Sequence, residues 1–138
     1  MKYYTKFDFD NETTKQYFKY FNSIKDKLSK EYLNLYYKND GFHDSIIENI
    51  VVERTKNCGI NIKIILLIKQ KLYALIYKNV SSYSFSVPKV NKWFYGTMSW
   101  GYGELELLQD EQWKQGMIDA DFNCEYEIVC KKIYIKKV

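Results

Sequence analysis

The sequence has few of the residues that build metal sites and disulfides. Its 138 residues include one histidine and three cysteines, and the cysteines form no Cys-x-x-Cys pair. This odd number without paired spacing argues against a disulfide framework. A zinc site of His43 and the three thiols is also disfavoured. Cys124 and Cys130 lie on one predicted strand, about 20 Å apart at ~3.3 Å per residue, whereas thiolates bind one zinc ion at ~2.3 Å. We therefore expect no metal and no cofactor.

Arginine and long apolar runs are also scarce. Arg54 is the only arginine among 21 Lys and Arg residues, and the formal net charge is only +4. Because phosphate recognition favours the two-pronged arginine side chain, we do not expect a nucleic-acid partner. The apolar runs at 64–68 and 72–77 are far shorter than the ~20 residues that span a bilayer. Charges follow Met1 where a secretory peptide would be apolar, so we expect a cytoplasmic protein without a membrane partner.

Apolar residues at helical spacing occupy the region before residue 40. They recur every three or four positions, as one stripe of an amphipathic helix: Tyr17, Phe21, Ile24, Leu28, Tyr32 and Leu35. The pattern predicts a helix over 13–38, which Asn22-Ser23 could divide into two. Gly41 follows where a left-handed residue ends a helix, and Phe42 is expected to contact Tyr37 there.

Alternating apolar residues dominate the chain after Ile46. They predict strands near 50–54, 60–68, 72–80, 104–108, 113–120 and 122–135, with an irregular stretch at 81–103. The sequence thus predicts an α+β protein: an N-terminal amphipathic helix, or a broken helix pair, packed on a mainly antiparallel sheet or small β-sandwich. We expect a single domain over 1–138, with a helical part at about 11–40 and a β part at about 46–138.

His43 and Asp44 form the most conspicuous candidate for chemistry, because imidazole titrates near neutral pH. Metal-dependent His-Asp phosphohydrolases need a further histidine, which this sequence does not contain. A catalytic triad needs Asp44 to orient His43, and adjacent residues rarely make that bond. The favoured interpretation is structural, with His43 packed between helix and sheet. A small hydrolase-like enzyme using this pair is the alternative.

Paired carboxylates two residues apart are a further candidate, at Glu104/Glu106, Asp119/Asp121 and Glu125/Glu127. Each pair shares one strand face, at a spacing comparable to that of glycosidase carboxylates. Half-exposed antiparallel strands show the same alternation, so we interpret these residues as a solvated face.

Aromatic residues concentrate in the segment 83–102 and predict a binding surface. Five of them are the candidate contact residues: Trp93, Phe94, Tyr95, Trp100 and Tyr102. Such side chains anchor protein interfaces, although a long connection could instead fold them over the end of the sheet. We favour a non-enzymatic module that binds another protein; the sequence does not predict an oligomeric state.

Three segments in order resemble a group of small bacterial proteins of unknown function. They are Met1-Lys2-Tyr3-Tyr4-Thr5-Lys6, Phe42-His43-Asp44-Ser45-Ile46-Ile47 and Glu127-Ile128-Val129-Cys130-Lys131-Lys132-Ile133. The second segment, a Phe-His-Asp-x-x-Ile element, is the most distinctive. The resemblance implies an N-terminal helical region followed by a β-meander, and it assigns no catalytic residue.

Overall fold

The computed structural model describes Tyr3 and residues 11–86, 98–119 and 124–138. Two helices precede six strands in these ranges, and a 3₁₀ turn at Lys25–Lys27 separates the helices. The helices are α1 (Asn11–Ile24) and α2 (Lys30–Lys38), and the strands are β1 (Ile46–Arg54), β2 (Ile60–Ile68), β3 (Lys71–Ser86), β4 (Met98–Leu107), β5 (Trp113–Asp119) and β6 (Glu125–Lys137).

The predicted amphipathic stripe is the buried side of a broken helix pair. The break lies at Lys25–Ser29 rather than at Asn22-Ser23, because Ser29 caps the second helix: its Oγ accepts a hydrogen bond from the Tyr32 N–H at 3.2 Å. Five of the six predicted stripe residues are buried, and Leu35 is half-buried. The helices thus turn a continuous aromatic and aliphatic surface toward the strands.

The six strands form one antiparallel sheet in the order β1-β2-β3-β6-β5-β4, which closes into a barrel. This confirms the α+β prediction with an antiparallel sheet. Two three-stranded meanders, β1-β2-β3 and β4-β5-β6, are joined along β3 and β6, where pairing runs from Tyr73–Lys137 to Ser86–Glu125. The β-meander implied by the resemblance is therefore divided into two.

The barrel closes over a short stretch where β1 begins. Within the described ranges, β1 pairs with β4 only at Ile46–Ser99 and Ile47–Met98. Two more backbone hydrogen bonds continue this seam into the preceding turn. The Asp44 N–H donates to the Trp100 carbonyl at 2.8 Å, and the Trp100 N–H donates to the Ser45 carbonyl at 2.7 Å. The Phe-His-Asp-x-x-Ile element is therefore part of the closure.

Helix α1 covers the free edge of β4 beyond that seam. The Tyr17 hydroxyl accepts a hydrogen bond from the Leu105 N–H at 2.8 Å, and the Tyr20 hydroxyl accepts one from the Leu107 N–H at 2.9 Å. Residues two apart on a strand direct their N–H groups to the same edge. Two tyrosines one helical turn apart thus replace the carbonyls of a neighbouring strand.

One hydrophobic cluster joins the helices to the barrel interior. Phe42 lies at its centre, with the Trp100 ring centroid 5.7 Å away and those of Tyr32 and Tyr36 each 5.6 Å away. Trp100 in turn contacts Tyr126, at 5.9 Å between ring centroids. Phe42 therefore packs on Tyr32 and Tyr36, which lie about one turn apart on α2. The expected partner, Tyr37, is 51% exposed.

The bounds 81–103 predicted for the irregular stretch are wrong at both ends. β3 continues to Ser86, and β4 already begins at Met98. Asn79, with φ 54°, lies just before an irregularity in the β3–β6 register at Val80–Ser82, which interrupts the strict alternation on which the sequence prediction depended. None of the helices in the described ranges is long and apolar enough to cross a membrane.

Candidate functional site

A left-handed turn links α2 to β1 and sets the position of His43. Asp40, Gly41 and Phe42 have φ values of 52°, 66° and 69°. The Phe42 N–H donates to the Asn39 carbonyl at 3.0 Å, and the His43 N–H donates to the Asp40 carbonyl at 3.2 Å. The left-handed conformation predicted for Gly41 is confirmed. Non-glycine residues pay about 1–2 kcal/mol each for this conformation, and the complete burial of Phe42 offsets that cost.

The turn brings the Asp44 carboxylate to His43, contrary to our expectation for adjacent residues. His43 Nδ1 lies 3.1 Å from Asp44 Oδ2. Asp44 is itself left-handed, with φ 66°, so its backbone does not follow the extended path on which neighbouring side chains diverge. The imidazole also packs edge-on against Tyr102, at 5.3 Å between ring centroids.

His43 borders two open clefts. One, of about 350 Å³, lies between the turn and the β2–β3 connection, with Lys38, Asp44 and Lys69 among its walls. The other, of about 250 Å³, lies between the turn, α1 and β4. An imidazole beside a carboxylate can accept a proton from a molecule in either cleft. However, the side chains of His43 and Asp44 are 33% and 77% exposed, so water weakens their mutual electrostatic effect.

The described residues contain no group of three or more His, Cys, Asp or Glu side chains that could hold a metal ion. Of the three thiols, Cys58 is exposed, and Cys124 and Cys130 are buried. Burial raises the pKa of the Cys130 thiol to about 12, which keeps this sulfur protonated and unreactive at neutral pH.

Two of the five predicted aromatic contact residues, Trp100 and Tyr102, lie in the described part of the chain. Trp93, Phe94 and Tyr95 lie outside the described residues. Trp100 is only 2% exposed and is a core residue of β4, so its prediction as a surface contact is wrong. Tyr102 is half-buried against His43. Trp100 is buried because it belongs to strand β4 and its side chain points into the barrel. An irregularity in the β4–β5 register separates it from Tyr102.

Two of the carboxylates predicted to be solvated are buried. Glu104 is 5% exposed, and both its carboxylate oxygens accept the Tyr3 N–H at 3.0 Å. Asp119 is fully buried, and its Oδ1 accepts the Cys124 N–H at 3.2 Å. A backbone N–H binds each carboxylate and so lowers the cost of its burial. Glu104 therefore holds Tyr3 against β4, and Asp119 joins the end of β5 to Cys124 just before β6, which the strand alternation alone could not show.

An apolar row crosses the outside of the barrel. Ile46 pairs with Leu67, and Leu67 pairs with Leu72, so the three side chains stand next to one another on three strands. Ile46 and Leu72 are 36% and 40% exposed, and Leu67 is half-buried. The alternate residue Leu66 faces the core and is fully buried. Neighbouring strands are ~4.8 Å apart, so the row is about 10 Å long.

Further apolar residues enlarge this row into a surface. Tyr134 pairs with Ile76, and Ile65 pairs with Ala74, all on the outward side of β2, β3 and β6. We call this surface the outer face, comprising Ile46, Val51, Ile65, Leu67, Leu72, Ala74, Ile76 and Tyr134. Ala74 and Ile76 are buried beneath their neighbours, and the other six are exposed or half-buried. Exposed apolar groups that adjoin one another, unlike scattered ones, mark interaction sites.

Sequence reasoning missed the outer face, although a signal for it was present. The run Ile64–Ile68 is apolar at consecutive positions and so places apolar side chains on both faces of β2. A central strand with two apolar faces needs two covering layers. One helix pair supplies one such layer, and on the second face Ile46 and Leu72 remain 36% and 40% exposed.

No protein-family model matches the chain, and a search of curated proteins finds no match. Function is therefore argued from the chemistry of the two candidate sites, the His43 clefts and the outer face.

Proposed function

We propose that this chain is a non-enzymatic protein-binding module that uses its outer face as the contact surface. The cross-strand row of Ile46, Leu67 and Leu72 supports the proposal, because three adjoining aliphatic side chains remain accessible to a partner. This keeps the protein-binding function expected from the sequence and moves its surface from the aromatic segment to the barrel. As part of the same proposal, the chain acts in the cytoplasm and belongs to the small bacterial proteins with a Phe-His-Asp-x-x-Ile element.

A matched pair of positions tests the surface. Leu72 lies in the outer face, whereas Val52 is similarly exposed, at 44%, but pairs with the buried Ile62 and so points to the opposite side of the sheet. A photo-crosslinking amino acid placed at either position in living cells should capture a specific protein at position 72 and not at position 52. Equal capture at both positions, or none at position 72, would contradict the proposal.

A hydrolase-like enzyme is the second candidate, favoured by the 3.1 Å approach of His43 Nδ1 to Asp44 Oδ2 beside two clefts. Its test is a screen of the purified protein against ester, phosphoester and glycoside substrates, with His43→Ala as the comparison. Turnover that disappears in the variant while its melting temperature is unchanged would establish this function instead.

A further inference from the structure

The charges beside the outer face are predominantly basic. Lys63, Lys78, Lys132 and Lys136 occupy outward positions on β2, β3 and β6, in register with the apolar residues. Glu53 pairs with Lys63, at 3.4 Å between Oε2 and Nζ. Further carboxylates face outward in the described strands: Glu48 lies at the irregularity in the β1–β2 register, and Glu125 and Glu127 lie at the far end of β6, where Glu127 Oε2 is 3.6 Å from Lys114 Nζ. The charged neighbours of Ile76 and Tyr134 are therefore lysines: Lys63 pairs with Ile76, and Lys132 and Lys136 flank Tyr134 on β6.

Two of the lysines converge on one point. Lys78 and Lys132 stand directly opposite each other on β3 and β6. Their Nζ atoms lie 5.2 Å and 5.7 Å from the centroid of the Tyr134 ring. Like charges directly opposite each other destabilise a sheet, and neither ammonium group forms an ion pair with the described residues. An incoming carboxylate would relieve this repulsion beside Ile76 and Tyr134 of the outer face.

We infer that the partner presents an apolar protein surface flanked by Asp or Glu side chains, an inference that rests on the proposed function. The aliphatic row would supply the buried contact, and the lysines would select acidic neighbours and speed association. A second copy of this chain is a poor occupant, because a two-fold interface through this face would place lysines against lysines.

A lipid surface with anionic headgroups is also disfavoured. Residues that enter a bilayer must protrude beyond the headgroup-binding lysines. Here the apolar groups stand on a sheet: Ala74 and Ile76 are only 4% and 2% exposed, and the most exposed described residue of the outer face, Leu72, reaches 40%. A protein surface can match this shape, whereas a bilayer would have to deform around it.

Two helical peptides with the same leucine stripe, flanked by Glu in one and by Lys in the other, separate these possibilities. We expect the Glu peptide to bind at least about tenfold more tightly, and we expect this preference to disappear near 1 M salt, where the screening length is ~3 Å. Lys132→Glu should remove the preference. Lys19→Glu, a charge reversal at an exposed position of α1, should preserve it.

Each alternative outcome has a distinct consequence. Equal affinity for both peptides, lost for both in Leu72→Ser, would overturn the acidic partner and leave the proposed function standing. Binding of neither peptide would overturn the inference. Binding of phosphatidylglycerol vesicles that is lost in Leu72→Ser would replace it with a membrane partner, and a dimer that dissociates on Leu72→Ser would replace it with self-association.

Discussion

At the scale of single residues, Trp100 shows why composition alone predicted a surface position for a core residue. Its indole ring is buried between Phe42 and Tyr126, and a Cβ added at Gly103 would lie 2.8 Å from its Cζ2 atom. A glycine is needed where the strand approaches the ring this closely. An aromatic residue near a loop and one in a core are alike in sequence, and only the register of β4 separates them.

Replacing Trp100 with Ala should therefore destabilise the folded protein. We expect the free energy of unfolding to fall by about 3–5 kcal/mol, the usual cost of truncating a buried aromatic side chain. Urea titration followed by circular dichroism measures this. Tyr83→Ala is the control, because Tyr83 is 44% exposed and should cost far less. A loss below about 1 kcal/mol for Trp100→Ala would contradict the buried position.

His43→Ala should act on stability and not on binding by the outer face. The variant loses the ring contact with Tyr102 and the interaction with Asp44, both partly hydrated, so we expect a loss of about 1 kcal/mol. Thermal denaturation measures the loss, and a binding titration with the captured partner should show unchanged affinity. An unchanged melting temperature together with a lost activity would contradict the structural role.

At the scale of elements, the contact of α1 with β4 depends on hydroxyl groups rather than on apolar packing alone. The Tyr17 hydroxyl satisfies the buried Leu105 N–H, and the Tyr20 hydroxyl satisfies the partly buried Leu107 N–H. Burial raises the pKa of Tyr17, so this hydroxyl stays protonated far above neutral pH.

Tyr17→Phe and Tyr20→Phe should therefore differ in cost. The first leaves a buried donor without its acceptor, and we expect a loss of about 1–3 kcal/mol in unfolding free energy. The second exposes its donor to water, so the loss should be about 1 kcal/mol or less. Chemical denaturation of both variants compares them at equal change in side-chain volume. Equal losses would show that the Leu105 N–H finds another acceptor.

The sequence predicted most elements but not how they join. The alternation in Ile60–Ile68 and Glu125–Lys137 is local, so both strands were found close to their observed bounds. Pairing of β3 with β6 joins residues up to 64 positions apart, from Tyr73 to Lys137, and no local pattern specifies it. The left-handed run at Asp40–Phe42 was also missed except at Gly41, because tertiary burial of Phe42 decides it.

At the scale of the whole molecule, the shared cluster of buried tyrosines predicts how stability depends on pH. Burial raises the pKa values of Tyr32 and Tyr77 well above their ordinary value. The unfolded chain loses these protons near pH 10, whereas the folded chain retains them. Their contribution to stability is therefore complete below about pH 10 and is lost as the pH rises further.

Ultraviolet absorbance of tyrosinate, recorded during an alkaline titration, measures this directly. The buried tyrosines should titrate only together with the loss of the circular dichroism signal. Ionisation of all the tyrosines in the native state would contradict the packing of the helices on the barrel.

The β1-β2-β3 meander has two faces with different surroundings. One side of the β1-β2-β3 meander is filled by the helices and the core, and the other carries an exposed aliphatic row beside lysines. His43 lies at the barrel closure, outside that row. The proposed binding through the outer face and the alternative chemistry at His43 would therefore depend on different residues.

The most direct test is a calorimetric titration of the partner captured at position 72 into the wild type, Leu72→Ser, Val52→Ser and His43→Ala, each shown to be folded by circular dichroism. We predict that Leu72→Ser weakens binding at least about tenfold, which corresponds to ~1.4 kcal/mol. The affinities of Val52→Ser and His43→Ala should stay within about twofold of the wild type, or ~0.4 kcal/mol. Wild-type affinity in Leu72→Ser, or an equal loss in Val52→Ser or His43→Ala, would contradict the account.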